Sequence, residues 1–390
     1  MTPAARLQAA IEVLDRITAG APTEQALLNW ARSSRFAGSK DRAAVRDHVF
    51  DVLRCWRSCA ALGGGESGRA LIIGALRAAG QDVAEQFSGA RHAPPPLTSQ
   101  EAALLAHQPD LPENVALDCP DWLAPRLRAA LGARFAPVME ALRHRAPVFL
   151  RANLARASRE AARAALAEEG VETRPSAIAD TALEVTANAR RVQHTQAYLT
   201  GLVELQDAAS QAVVAALPLR AGQRVLDYCA GGGGKALAMA ARAGGAILAH
   251  DADPARMADL PARAARAGAA ITPLAGDALR AAGPFDLVLL DVPCSGSGSW
   301  RRAPEAKWRF TEARLHQLEA TQAQILQEGA GLIAPRGLLA YVTCSLLREE
   351  NEAAVARFLA GAPEWRCTLQ RRWLPCDGAD GFFLALLTRD

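Results

Sequence analysis

The stretch RVLDYCAGGGGKALAMAA, residues 224–241, decides the fold. Its opening apolar residues read as a short strand, the four consecutive glycines Gly231 to Gly234 as a tight loop, and Ala236 to Ala243 as a helix. Glycines let the backbone approach a ligand closely, and the free amides that open a helix favour carboxylate or phosphate groups. Taken alone, the loop is weak evidence, with a nucleotide-type site the favoured reading and a tight structural turn the lesser one. The dinucleotide pattern G-x-G-x-x-G is met only loosely, and the phosphate-loop pattern is broken because Ala236 follows Lys235, so neither NAD nor ATP is supported.

Outward from the loop the alternation continues, with a strand over 246–250, a helix over 254–267, strands over 285–291 and 337–343, and a final strand in DGFFLALL (380–387). Phe382 and Phe383 of that last run read as core. Strands alternating with helices imply right-handed crossovers and an α/β fold with a doubly wound, mostly parallel sheet. Such sheets bind ligands beyond the carboxyl ends of their strands. Two acids fall there. Asp251 closes AILAHD, where an acid can accept from both ribose hydroxyls, and Asp277, in LAGD, can accept from an adenine amino group. Each alone fits a helix cap or a solvated loop acid just as well. Together they favour an adenosine-containing ligand without a demanding phosphate site, a description that S-adenosylmethionine meets.

Two cysteines also end apolar runs: Cys294 in LVLLDVPCSGSG (287–298) and Cys344 in GLLAYVTCSLLREENE (337–352). A pyrimidine ring carbon is too weak a nucleophile to take a methyl group directly. A thiolate that adds to carbon 6 makes carbon 5 enamine-like, and an acid at ring nitrogen 3 stabilises the developing charge. Asp291, three residues before Cys294, is placed for that role. A single buried thiol is usually a small hydrophobe, but two at strand ends beside an acid point to chemistry.

The composition sets wider bounds. Half of the 390 residues are hydrophobic and 22% are charged, as expected of a globular chain of two or three domains, and the net charge of +3 leaves the partner open. No run approaches the length of a membrane span and the first residues lack a signal-peptide core, so the expectation is a cytoplasmic protein without membrane contact. The eight cysteines (55, 59, 119, 229, 294, 344, 367 and 376) lack the spacing of a metal site or a disulfide scaffold, and no metal is expected. Helical spacing of Leu7, Ile11 and Leu14, then of Val45, Val49 and Val52, indicates an all-helical unit over 1–95. A helical connector over 96–145 and a small α+β segment over 146–204 precede the α/β domain of 205–390.

At this point the chain resembles the RsmB/Sun-type (NOL/NOP/Sun) family of S-adenosylmethionine-dependent RNA cytosine-5 methyltransferases. DVPCSGSG (291–298) and TCSLLREEN (343–351) carry the resemblance, with RRAPEAKW (301–308), LQDAAS (205–210) and DGFF (380–383) in the family's order. The resemblance implies a Rossmann-like class I methyltransferase domain, a degenerate NusB-like helical RNA-binding domain over 1–95, and an RNA-positioning role for 146–204. It implies Cys344 as nucleophile, Cys294 as the group that resolves the adduct, and Asp291 at the cytosine edge and beside the cofactor. Cys229, Ala230, Gly231, Gly232, Gly233, Gly234 and Lys235 would surround the methionine part, with Asp251, Arg256 and Asp277 along the adenosine and Lys235 also reaching the base. Gly231 and Gly232 stand where the family has Ala-Pro, and Ala236 where it has a hydroxyl residue, which implies a loop that orders partly on binding.

Around Trp308, the cations Arg301, Arg302, Lys307 and Arg309 suggest phosphate contacts beside a stacking aromatic, although a solvated helix start with the indole buried has the same composition. Arg32, Arg35, Lys40, Arg42, Arg46, Arg54 and Arg57 offer a second basic surface, and Arg151 and Asn153 in FLRAN a third point of RNA contact. The expected function is methylation of carbon 5 of a cytosine in RNA, 16S ribosomal RNA by the resemblance, by a monomer. The alternatives are a DNA cytosine-5 methyltransferase, in which the Pro-Cys cysteine itself attacks, and a noncatalytic RNA-binding or ribosome-assembly factor.

Overall fold

The structure, a computed structural model, describes residues 1–107 and 109–389. Two compact units divide the chain: Met1–Arg145 together with Trp300–Arg309, and Ala146–Ser299 together with Phe310–Asp390. Among the described residues no helix is long and apolar enough to cross a membrane.

The first unit is helical throughout. Helices Pro3–Thr18, Thr23–Ser33, Ser39–Arg54, Trp56–Gly63 and Gly68–Ala78 bury Leu14, Trp30, Val45, Val49, Leu71 and Ile73 in one core. Gly74 permits the last two to meet backbone to backbone, since a Cβ there would lie 1.9 Å from the Cys59 carbonyl oxygen. The separate segment Trp300–Arg309 completes this unit, with Trp300 fully buried. Lys307 Nζ donates to the Arg54 carbonyl (3.0 Å), and Trp308 Nε1 to that of Leu53 (2.6 Å). Both carbonyls belong to the last turn of helix Ser39–Arg54, where backbone acceptors lack intrahelical donors.

The second unit holds two sheets. Strands β1 (Val148–Ala152), β2 (Glu172–Pro175), β3 (Ala182–Ala187) and β4 (Val203–Leu205) form an antiparallel sheet in the order β2-β3-β1-β4. Strands β5 (Val225–Asp227), β6 (Ile247–Ala249), β7 (Ile271–Pro273), β8 (Phe285–Asp291), β9 (Ile333–Thr343), β10 (Trp365–Trp373) and β11 (Phe382–Arg389) form the larger sheet, in the order β10-β11-β9-β8-β5-β6-β7. From β7 through β9 every pairing is parallel, while β11 and β10 run antiparallel at one edge. The central strands are covered on both faces, which is why β8 reads as the nearly unbroken apolar run FDLVLLD. Phe382 and Phe383 are buried, as the final apolar run indicates.

Two elements differ from expectation. The helix expected over 254–267 is a 3-10 turn, Pro254–Met257, followed by helix Leu260–Ala267, because Pro261 has no amide hydrogen and is accommodated only in a first turn. Strand β10 (WRCTLQRRW) was not visible as a strand; its middle is polar and exposed, as suits a sheet edge that must not recruit another strand.

Candidate active site

The site lies where β5, β6, β8 and β9 end. In β8 and β9 the pairing sets Asp291 opposite Val342, so the loops that follow, carrying Cys294 and Cys344, start side by side. Their sulfurs are 3.4 Å apart. Its hydrogen bond with Cys344, then burial, holds the Cys294 thiol well above the ordinary range, and either sulfur can be the donor in that contact.

A buried carboxylate that neither sulfur touches fixes this spacing. Glu350 accepts from the Ser295 amide (2.8 Å), the Ser295 hydroxyl (2.5 Å), the Ser345 hydroxyl, and Gln322 Nε2 (3.0 Å). Ser295 follows Cys294 and Ser345 follows Cys344, so one acid holds both loops, while Gln322 also donates to the Pro293 carbonyl (2.9 Å). Sequence reasoning quoted Glu350 within TCSLLREEN but gave it no role, and Gln322 carried no local signal.

Beside the sulfurs, Lys235 Nζ donates to Asp291 Oδ2 at 2.5 Å and lies 5.0 Å from the centre of the Phe382 ring. Burial opposes the charge on Lys235, yet the Asp291 carboxylate raises its pKa above the ordinary lysine value. Asp227, at the end of β5, was missed by sequence reasoning. It is buried, neither of its oxygens has a hydrogen bond of normal geometry, and burial, with the Asp291 charge, pushes its pKa up to about 7. Cys229, also in the loop, is held well above the usual thiol range by burial and by Asp227, Asp291 and Asp251.

The glycine loop is pinned along its length. Asp251, buried at the end of β6, accepts from the Gly231 amide (2.9 Å), the Asp253 amide (3.0 Å) and Arg256 Nη1 (3.0 Å). Ala230 donates to the His250 carbonyl, and Arg263 to that of Gly232. Gly233 has φ +78°, and a Cβ there would lie 2.1 Å from Leu260 Cδ1. Asp251 and Arg263 thus hold the backbone at Gly231 and Gly232, the two positions where the resemblance implies Ala-Pro. Asp277 is exposed in the turn after β7.

Several expected RNA contacts need correction. Arg151 is buried, donates to Gln206 Oε1 and the Gly234 carbonyl (both 2.6 Å), and has its pKa pushed down to about 10 by burial, so it braces the start of helix Gly234–Ala243 from inside. Asn153 is buried likewise, donating to the Gly201 and Ala267 carbonyls. Arg301 and Lys307 are buried in the first unit, and Trp308 is half-buried with its indole nitrogen bonded. Burial, which lowers the Lys307 pKa to about 8, leaves that ammonium no route to a phosphate. Arg302 and Arg309 remain exposed.

Sheet order, glycine loop and strand-end acids together define a Rossmann-like methyltransferase domain. The family model described as 16S rRNA methyltransferase RsmB/F matches residues 214–388, and the RsmF/B-like ferredoxin-like domain matches 119–193. This chain belongs to the RsmB/F family. It is 34% identical over 308 residues to ribosomal RNA small subunit methyltransferase B of Klebsiella pneumoniae, covering 74% of this chain and 70% of that protein. To the protein of the same name from Pasteurella multocida it is 32% identical over 292 residues, covering 69% of this chain and 65% of the relative, so it spans just under two thirds of that relative's length. The crystal structure of PH0851 shares the fold along the entire chain, with a TM-score of 0.75 at 24% identity, covering 100% of this chain and 99% of that one.

Proposed function

We propose that this protein transfers a methyl group from S-adenosylmethionine to carbon 5 of a cytosine in small-subunit ribosomal RNA, through a covalent adduct on Cys344. The observation that carries the reading is the pair of sulfurs 3.4 Å apart at the ends of adjacent parallel strands, beside the Lys235–Asp291 pair. The residues present suit the cofactor: Asp227 is a buried acid with unfilled acceptor capacity, matched to an ammonium group, and Asp251 is a buried carboxylate beside the glycine loop, of the kind that accepts from ribose hydroxyls. Loop residues 229–235 and Asp227 would hold the amino-acid part, Asp251 and Arg256 the ribose, and Asp277 the adenine amino group. When bound, the cofactor supplies an electrophilic methyl group.

The chain's own groups account for the remaining steps. Cys344, as thiolate, adds to carbon 6 of a cytosine taken out of its stack, and the Lys235–Asp291 pair offers both a donor and an acceptor to the ring edge as charge develops on nitrogen 3. Adduct formation consumes the Cys344 charge, removing one of the causes that hold the Cys294 proton. Cys294 then releases that proton to solvent and takes the one on carbon 5 after methyl transfer, and the Cys344–carbon 6 bond breaks to regenerate the thiolate.

RNA carrying 5-fluorocytosine blocks the last proton removal and traps the adduct. The expected outcome is a denaturation-resistant protein–RNA species for the wild type and Cys294→Ala and none for Cys344→Ala. An adduct that survives Cys344→Ala but not Cys294→Ala sinks the assignment and favours the mechanism in which the Pro-Cys cysteine attacks.

A further inference from the structure

We propose that Phe36 and the cavity beside it form a stacking site for an unpaired nucleotide of single-stranded RNA, with Arg32, Arg35, Lys40 and Arg91 gathering the phosphates. The inference rests on the reading of the protein as an enzyme that acts on RNA. Phe36 occupies the turn between helices Thr23–Ser33 and Ser39–Arg54 and is 76% exposed, more than any other large hydrophobic side chain among the described residues. A lone exposed apolar residue needs no explanation. The setting of this one does.

The turn is not slack. Ser34 and Ala37 are buried, the Ala37 amide donates to the Ser34 carbonyl (3.0 Å), and Arg42 Nε donates to the Ala37 carbonyl (3.0 Å). Phe36 is thereby held outward by a braced backbone. Next to it opens a cavity of about 540 Å³, lined by Met1, Ala9, Trp30, Phe36, Arg91 and His92. That volume lies within the range of small-ligand sites, about 300–1,000 Å³. Gln8 and Glu12, joined at 3.2 Å, give the same cavity an edge of hydrogen-bond donors and acceptors. Apolar walls, a projecting ring and a polar edge are what a splayed-out base requires.

Charge selects RNA over an apolar peptide. Of the basic residues in these helices, Arg46 is paired with Glu24, Arg54 with Asp51 and Arg57 with Asp121. Among the described residues Arg32, Arg35, Lys40 and Arg91 have no carboxylate partner, and all four are exposed. Asp41, at the start of the following helix, is already bound by Arg6 (2.9 Å) and the Met1 amino group (3.3 Å). Unpaired cations around an exposed aromatic supply the phosphate funnel and the stacking platform of single-strand binding.

The test uses the full chain with a single-stranded oligouridine and an RNA duplex of equal length, followed by fluorescence anisotropy. Phe36→Ala should weaken single-strand binding by about 5- to 150-fold and leave duplex binding within about twofold. Phe36→Trp should keep the affinity and show ligand-induced quenching beyond that of the seven native tryptophans. Arg35→Ala with Lys40→Ala should weaken both RNAs and lower the salt slope by roughly 1–2. Single-strand binding by Phe36→Ala equal to wild type, or a Phe36→Trp protein that shows no added quenching, overturns the site. If the wild type binds neither RNA, the reading of an RNA-acting enzyme falls with it, whereas wild-type binding unaffected by Phe36→Ala defeats only the present inference.

Discussion

RRAPEAKWR (301–309) and RSSRFAGSKDR (32–42) have nearly the same composition, several cations around one aromatic ring, and the fold treats them oppositely. In the first, Lys307 is 1% exposed and, with the Trp308 indole, donates to the terminal carbonyls of helix Ser39–Arg54. In the second, the ring and its cations face solvent. The difference lies in what each segment packs against. A helix end with orphan carbonyls draws in a lysine and an indole as remote caps, whereas the 32–42 turn satisfies its carbonyls locally, through Ala37 and Arg42, and leaves its side chains outside.

The contrast can be broken most forcefully at Trp300. Trp300→Ala should cost about 3–5 kcal/mol of stability in urea unfolding, and a change below about 1 kcal/mol would mean that 300–309 is not part of the helical core. Lys307 gives a subtler handle through pH. Burial lowers its pKa from 10.5 to about 8, so between those values the unfolded state binds more protons than the native state and stability rises with pH. Wild type should gain about 2 kcal/mol over Lys307→Met between pH 7.5 and pH 10; parallel curves would show a solvated ammonium of the kind an RNA-facing surface needs. The smallest effect belongs to the other segment. Phe36→Ala should move the unfolding free energy by no more than about 0.5 kcal/mol, and a larger loss would make Phe36 a packing residue after all.

Much of the larger sheet was legible because its strands announce themselves. Residues 285–291 are apolar on both faces, and Asp251, Asp291, Cys294 and Cys344 each stand at or just past the end of such a run. Long-range pairing was not legible. Lys307 meets a carbonyl 253 residues away, and nothing near it in sequence separates a cap from a phosphate ligand. Arg151 reads as a surface cation in FLRAN, yet β1 is central in its small sheet and carries the side chain inward to Gly234. Asp227 was visible as the last residue of a strand, but its burial without a hydrogen bond of normal geometry is a property of the packed loop alone. Glu350 shows the same limit, since its role depends on the register that sets β8 beside β9.

That last acid also orders events in time. Ser295 lies 55 residues before Glu350, so while the chain is being made the first cysteine loop emerges long before the carboxylate that will hold it. Domains fold largely as synthesis proceeds from the N-terminus. A nascent chain that has passed Cys294 and Cys344 but not Glu350 therefore lacks the carboxylate that ties the two cysteine loops together. One carboxylate thus joins two loops that leave the ribosome far apart in time, and the separation of the two sulfurs takes its final value only when that late residue is in place.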